Sequence, residues 1–391
     1  MLQKRLLDTY FSRLKQGGVR VTYWDGETKT YGPGAPYVSL TIKDPVVVRR
    51  MMLNPSVGFG ECYAEGLIEI EGPLTDVVRL TIDNPSSLKP LMRLSNKARL
   101  NRNERQRQKG YIAHHYDIGN DFYQLWLDKS MLYSCAYYRT PKDTLEKAQQ
   151  QKIEYILRKA HLRKGQRILD IGSGWGNLLI AAAKKYGVSG LGVTLSEEQV
   201  RFANEAAKKA GVADKVTFEL TNYQDLPARG ETYDRIVSVG MVEHVGQGNQ
   251  HIFLEAVDHL LKDKGLAIIH FITQQTELPV DAWIDKHIFP GGYLPSVRQF
   301  VWDLPVYNFR LLDYENLRPH YAMTLHEWRA RFHKHKHTVI NMFDEQFYRM
   351  WDLWLASSEG SFLYGCIALS QFVFTKGIVN DLPLTREDWY K

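Results

Sequence analysis

From residue 145 onward the chain alternates between short apolar runs and longer segments with helical spacing. Leu145–Ala160 carries apolar positions at intervals of three and four. Arg167–Ile171 is a short apolar run that breaks into glycines and reopens as a helix over Asn177–Tyr186. The strand pattern returns at Gly190–Thr194, Val216–Leu220, Tyr233–Val239 and Leu266–Thr273, with helices predicted at Ser196–Ala210 and Asn249–Leu261. Strands separated by helices of this length imply parallel βαβ units and a doubly wound α/β sheet.

Two regions depart from that rhythm. Residues 1–95 read as a small α+β module: an amphipathic helix over Leu2–Lys15 closed by Gly17-Gly18, then strands at Val19–Trp24, Tyr37–Ile42 and Leu67–Ile70. Residues 274–308 are aromatic and punctuated by Pro and Gly, as expected of a lid or binding insertion. The rhythm resumes with a strand at Phe309–Asp313, helices at Leu325–His337 and Asp344–Ser357, and a strand at Ile367–Thr375. The expected organisation is a module over 1–95, a linker over 96–110 and a catalytic domain over 111–391.

At 391 residues, 44% of them hydrophobic and 24% charged, the chain can bury a sizeable core, which excludes wholesale disorder. No apolar run approaches the roughly 18 residues that a membrane span requires. The first residues lack the apolar stretch of a secretion signal, and three cysteines without metal-type spacing make no disulfide framework, so a reducing cytoplasm is expected. The net charge of +6 is unevenly placed: Lys97–Lys109 holds six Lys or Arg against the single Glu104. That run is either a solvated linker or a surface for phosphates.

The sharpest local signal is ILDIGSGWGN, Ile168–Asn177. An apolar strand ends in Asp170, and glycines at 172, 174 and 176 open a helix. The spacing is G-x-G-x-G rather than the G-x-G-x-x-G of dinucleotide folds, with Asn at position 177, so a nucleoside with a small charged tail, S-adenosylmethionine, suits it better than a pyrophosphate. In open α/β sheets ligands lie beyond the carboxyl ends of the strands, and each later strand end carries polar residues. Thr194 is followed by Ser196 and Gln199, which read as a ribose site, a helix cap, or both. Asn222, Tyr223 and Gln224 suit an adenine. Glu243 and His244 follow the fourth strand, and His270 lies within the fifth. His333 and His337 stand one helical turn apart, a spacing that suits a metal, but no third ligand is evident and a solvated face is the plainer reading.

Taken in order, HHYDIGNDFY, YSCAYY, LDIGSGWGN, GVTLSEEQ, MVEHVG and IIHFIT resemble the cyclopropane-fatty-acyl-phospholipid synthases, which are similar to the mycolic acid cyclopropane synthases. The resemblance spans nearly the whole chain. It implies a class I methyltransferase fold, Rossmann-like, with a seven-stranded mostly parallel sheet and helices on both faces. It implies transfer of a methylene group from S-adenosylmethionine to the cis double bond of an acyl chain in a membrane phospholipid, with bound bicarbonate as the base. Carried across, the bicarbonate cradle is Cys135 and Ile272 through backbone and Glu243, His270 and Tyr321 through side chains. The cofactor residues are Tyr116, Tyr133, Ser134, Gly172, Gly174, Trp175, Gly176, Thr194, Ser196, Gln199, Asn222, Tyr223 and Gln224. No metal and no nucleic acid are implied; a homodimer that is cytoplasmic and peripheral to an anionic membrane is. Basic residues of 97–109, with Arg329, Arg331, Lys334 and Lys336, are expected to face the headgroups. Ahead of Tyr321, Leu312 and Tyr314 stand where the family pattern suggests a carboxylate, with Asp313 or Glu315 as substitutes.

Two other functions fit the same residues. One is a different S-adenosylmethionine-dependent methyltransferase, acting on a lipid or small molecule. The other is a noncatalytic lipid-binding protein on a relic fold.

Overall fold

The structure, a computed structural model, describes residues 2–84 and 118–390. Tyr116 and the basic run 97–109 lie outside the described residues. The described residues form two compact units. One comprises residues 2–84 with Pro279–Pro290 and Leu325–Cys366; the other comprises residues 118–278, Gly291–Thr324 and 367–390.

The first unit opens with α1 (Leu2–Phe11), β1 (Val19–Thr22), β2 (Thr28–Tyr31) and β3 (Val38–Ile42), followed by α2 (Val46–Leu53), α3 (Pro55–Ala64), β4 (Ile68–Glu71) and α4 (Thr75–Asp83). The strands lie in the order β2-β1-β3-β4, with β1 and β3 parallel and the outer pairs antiparallel. Asn54 separates α2 from α3: its side chain accepts from Val57 N at 3.2 Å and Pro55 takes the first helical position, where a missing N–H has no consequence. The strand β2 and the helices α2 to α4 are absent from the sequence reading. β2 is an edge strand with one buried residue, and α3 has no exposed residue along its length, so neither shows a clear period.

The second unit runs α5 (Asn120–Gln124), α6 (Leu145–Lys159), β5 (Arg167–Ile171), α7 (Asn177–Tyr186), β6 (Ser189–Thr194), α8 (Glu197–Lys209), β7 (Val216–Leu220), β8 (Tyr233–Val239), α9 (Gln250–Leu260) and β9 (Leu261–Gln274). Then α10 (Ala282–His287) belongs to the first unit and α11 (Val297–Asp303) to the second. The chain closes with β10 (Phe309–Asn316), α12 (Arg318–Lys334), α13 (Lys336–Met342), α14 (Glu345–Leu363), β11 (Ile367–Lys376) and α15 (Glu387–Tyr390). The sheet order is β10-β11-β9-β8-β5-β6-β7, with β5 to β9 parallel and β11 antiparallel to both its neighbours, β9 and β10. This is the expected class I methyltransferase architecture.

Side-chain alternation builds a core on each face. Ile168, Val237 and Ile268 pack with α6, α7 and α8, while their neighbours Leu169, Ile236 and Ile269 pack with α9 and α11. The chain leaves β5 toward β6 and β7, then returns to place β8 on the other side. The crevice beyond β5 and β8 is therefore the topological switch point.

The segment 274–308 differs from the single insertion expected. Residues 279–290 group with the first unit, where Trp283 covers Gly60 and the Glu61 carboxylate takes Lys286 and His287 at 2.6 and 3.0 Å. Residues 291–308 supply core of the second unit, with Phe300 fully buried against Phe271 and Phe372. Arg329, expected at a headgroup surface, instead donates to Asp352 Oδ1 at 2.7 Å, as does the His333 ring.

Close strand pairing leaves no space at Gly190: a Cβ there would meet the Ile168 carbonyl oxygen at 2.4 Å and Leu179 Cδ1 at 2.7 Å. Gly190→Ala should lower unfolding stability by about 1–3 kcal/mol, as backbone cannot give way like a side-chain tip. Urea denaturation measures it; an unchanged midpoint would show a looser β5–β6 pairing than described.

Candidate active site

A cleft of about 1110 Å³, part of it open to solvent, lies at the carboxyl ends of β5, β6 and β8. Asp170, Gly172 and Gly174 form one wall, Thr194 and Gln199 another, Asn222 and Tyr223 a third, and Gly240, Met241 and His244 a fourth. The turn after β5 requires its glycines: residues 172, 174 and 176 have φ of +83°, +53° and +88°. At Gly174 a Cβ would meet nothing within 4 Å, so the backbone there borders open space. At Gly176 it would meet Phe218 Cζ at 2.7 Å and the Ala203 Cβ at 2.9 Å.

The remaining wall is the segment 131–134, held by α6. Gln149, fully buried, donates to the carbonyls of Leu132 and Ser134 at 3.1 and 2.9 Å. Lys152 Nζ donates to Ser134 Oγ at 2.7 Å and borders the cleft. Tyr137 N donates to Ala148 O at 3.0 Å, and its ring stacks between Tyr155 and His320. Trp175 Nε1 donates to Asn120 Oδ1 at 2.9 Å.

Tyr133, Ser134, Gly172, Gly174, Trp175, Thr194, Gln199, Asn222 and Tyr223 thus border one cleft. Gly176, Ser196 and Gln224 do not. Gly176 is the residue ahead of α7 and lies against Phe218, which is close helix–sheet packing. Ser196 is the N-cap of α8, its Oγ accepting from Gln199 N at 3.3 Å. Gln224 turns its amide to Tyr223 Oη at 3.3 Å.

Of the second group of expected residues, Cys135, Glu243 and His270 adjoin the cleft lining, beside Ser134, beside His244 and across from Val239. Glu243 Oε1 accepts from Ile272 N at 2.7 Å. His270 is cross-strand from Val239 on β8, and its carbonyl accepts from Gly240 N at 2.8 Å; Val239 and Gly240 both border the cleft. Two buried polar atoms here have no hydrogen-bond partner among the described residues: Glu243 Oε2 and His270 Nε2. Cys135 is buried with its thiol on Ala136 O at 3.1 Å, and burial pushes that thiol well above its ordinary range, so it is no thiolate. Ala136 N donates to Thr324 Oγ1 at 3.0 Å, one turn of α12 beyond Tyr321, which ties that turn to the Cys135 segment. Asp313 and Glu315 point to other partners, Arg386 at 2.6 Å and the Tyr155–Lys159 pair at 2.6 Å each.

Burial governs the electrostatics. It raises the Asp170 carboxyl to about 7, although the Lys152 charge opposes this, and lowers Lys152 itself to about 8. It raises Glu243 to about 7, with the Ile272 N–H opposing. It lowers His244 to about 4 and His270 to about 3, the latter helped by Lys152, Lys159 and His320. A carboxyl half-protonated near neutrality thus accompanies a neutral imidazole. Lys152 and Gln149 are absent from the sequence reading; their only signal is KAQQQK, an amide run on a helix whose apolar face is otherwise ordinary.

A family model for mycolic acid cyclopropane synthetase matches residues 103–372, and a model for a domain of unknown function matches 6–90. A probable fatty acid methyltransferase of Pseudomonas putida is 35% identical over 95% of this chain and 96% of its own. The cyclopropane-fatty-acyl-phospholipid synthase of Escherichia coli K12 is 37% identical over 90% and 92%. The crystal structure of the mycolic acid cyclopropane synthase CmaA1 with S-adenosylhomocysteine and CTAB matches with a TM-score of 0.65 and 31% identity, covering 68% of this chain and 98% of that one.

The Glu243 carboxyl should keep its proton to about pH 7, against 4.5 for an ordinary glutamate. Because the folded-state value is raised, the stability this group contributes is present below about 4.5 and lost as pH rises through about 7. Infrared difference spectra between the parent and Glu243→Gln should show a protonated-carboxyl band titrating near 7. Loss of the band near 4.5 would mean that the carboxyl is solvated.

Proposed function

Since the chain belongs to the mycolic acid cyclopropane synthetase family, an S-adenosylmethionine-dependent enzyme of the cyclopropane-fatty-acid synthase class, we propose that it acts on cis double bonds of acyl chains in membrane phospholipids and uses bicarbonate as proton acceptor. The observation that carries this reading is the pair of unpartnered buried atoms, Glu243 Oε2 and His270 Nε2, on residues that adjoin the lining of a glycine-walled cleft.

The residues suit both small molecules. Gly174 leaves its side of the cleft open, Thr194 and Gln199 offer a ribose hydroxyl-binding pair, and Asn222 and Tyr223 offer an amide and a ring to an adenine. Lys152 faces one end of an amino-acid zwitterion as a cation, and Asp170 would face the other as a carboxyl that an adjacent ammonium draws back to its charged form. Glu243 and His270, with the Tyr321 hydroxyl, would hold a bicarbonate, which supplies a compact base that a methyl donor does not consume. A neutral imidazole and a protonated carboxyl both donate to an oxyanion.

An alkene is a weak nucleophile, so catalysis depends on holding it close to the sulfonium methyl in a set direction. Attack leaves a carbocation on the acyl chain, which water would quench. The chain's own contribution is an aromatic wall at Tyr133, which borders the cleft and packs with Tyr123 and Trp126, to exclude water and offer a ring quadrupole to the cation. Glu243, fixed by Ile272 N, and His270 keep the proton acceptor in place as the ring closes. In this reading the acyl chain comes to the site from a bilayer on which the protein docks; no helix among the described residues is long and apolar enough to cross a membrane.

Incubation with unsaturated phospholipid vesicles and S-adenosylmethionine should give fatty esters one CH2 heavier and without the double bond, read by gas chromatography and mass spectrometry. Glu243→Gln should lower turnover about 10²- to 10⁴-fold while calorimetry shows unchanged S-adenosylmethionine affinity. Equal losses of both would make Glu243 structural. A second reading, a methyl-branched product, is favoured by the similarity to the P. putida fatty acid methyltransferase, and retained unsaturation in the heavier ester identifies it.

A further inference from the structure

We infer that Lys159 and Gln371 are positioning residues that fix His270 as a neutral imidazole with its proton on Nε2, leaving that atom as a hydrogen-bond donor to the site. The inference rests on the function proposed above only for what the donor serves; the tautomer follows from the hydrogen bonds.

Lys159 occupies the last turn of α6 and is fully buried. Its Nζ donates to Glu315 Oε2 at 2.6 Å and to Gln371 Oε1 at 2.7 Å, with Asp313 Oδ2 at 3.6 Å and the Tyr155 ring centroid at 4.2 Å. An ammonium has donors only, so the Gln371 atom beside it must be the carbonyl oxygen. That settles which way the amide faces, an orientation otherwise ambiguous in any structure. The amide nitrogen is then left against His270 Nδ1, at 3.1 Å. Gln371 and His270 are cross-strand partners on β11 and β9, and both are buried, so neither can turn to solvent.

An amide NH2 also has donors only. His270 Nδ1 must therefore accept, and in a neutral ring the proton then resides on Nε2. An imidazolium would set an Nδ1–H against the Gln371 N–H, two donors facing each other. The charged groups around the ring act in the same direction: Lys152, Lys159 and His320 all disfavour a second proton. Glu315 and Asp313 are engaged by Lys159, and Glu243 is engaged by Ile272 N through one oxygen. Thus a buried ion pair on α6 and β10, neither member of which lines the cleft, determines which nitrogen of His270 can donate. Its place in the reaction is to hold an oxyanion without competing with it for the proton.

The test is a long-range proton–nitrogen correlation spectrum of the full chain labelled with 15N-histidine, His270 being assigned by its loss in His270→Asn. The expected spectrum has a protonated Nε2 and a pyridine-type Nδ1 that does not titrate where exposed histidines do. Gln371→Glu keeps a Lys159 partner but replaces the donor with an acceptor. It should move the proton to Nδ1 and lower kcat about 10- to 100-fold, with the KM for S-adenosylmethionine unchanged. Lys159→Met, which frees the amide to flip, should give both tautomers. A parent carrying Nδ1–H, or a Gln371→Glu variant with the parental tautomer, overturns the inference. So does Lys159→Met with a single parental tautomer and full kcat, for the part of Lys159. A parent with the expected tautomer that forms no ring product supports the relay and removes the proposed function; a ring-forming parent with Nδ1–H does the reverse.

Discussion

Burying ionisable side chains at the carboxyl ends of parallel strands is the constraint on which the rest of this structure depends. A charge removed from water must find a partner or change its protonation. Asp170, Glu243 and His270 lie within a few residues of the switch point, and all three shift toward their neutral forms. The sheet imposes this, since strands covered on both faces have no solvated side to which a polar group can turn. Once neutral, these groups become donors and acceptors of set direction rather than point charges.

Helix α6 meets much of the resulting demand. Gln149 and Lys152 hold the 132–134 segment against the cleft, Gln151 donates to Tyr137 O at 3.1 Å, and Lys159 anchors Gln371. One helix therefore carries the cleft wall on one turn and the orientation of His270 on another. These polar side chains lie on a buried face, where propensity alone would place Leu or Ala. Replacing either partner in such a network would leave the other unpaired, so the network specifies one arrangement more than it adds stability.

The glycines after β5 separate into two roles that their even spacing conceals. Gly174 borders open cleft, whereas Gly176 admits Phe218 and Ala203 to the base of α7. Both have positive φ, so both look alike in sequence. The same division runs through the polar residues after β6: Thr194 and Gln199 border the cleft, and Ser196 between them caps the helix.

Periodicity by itself determined the parallel strands of the second unit and the helices between them, because apolar spacing is a local property and a two-faced sheet repeats it. The glycine turn and the acidic and imidazole strand ends were legible for the same reason. Residue type also determined that Thr194, Asn222 and Tyr223 would gather, since parallel strands bring their carboxyl ends to one edge. Only the tertiary structure decided the rest. It took residues 279–290 into the first unit and 291–308 into the core of the second, and began α12 at Arg318, ahead of the predicted helix. It also decided that Glu315 and Asp313 face Lys159 and Arg386, and that Gln371 stands across from His270. Those pairings join residues roughly 70 to 160 positions apart, and long-range register leaves no trace in local spacing.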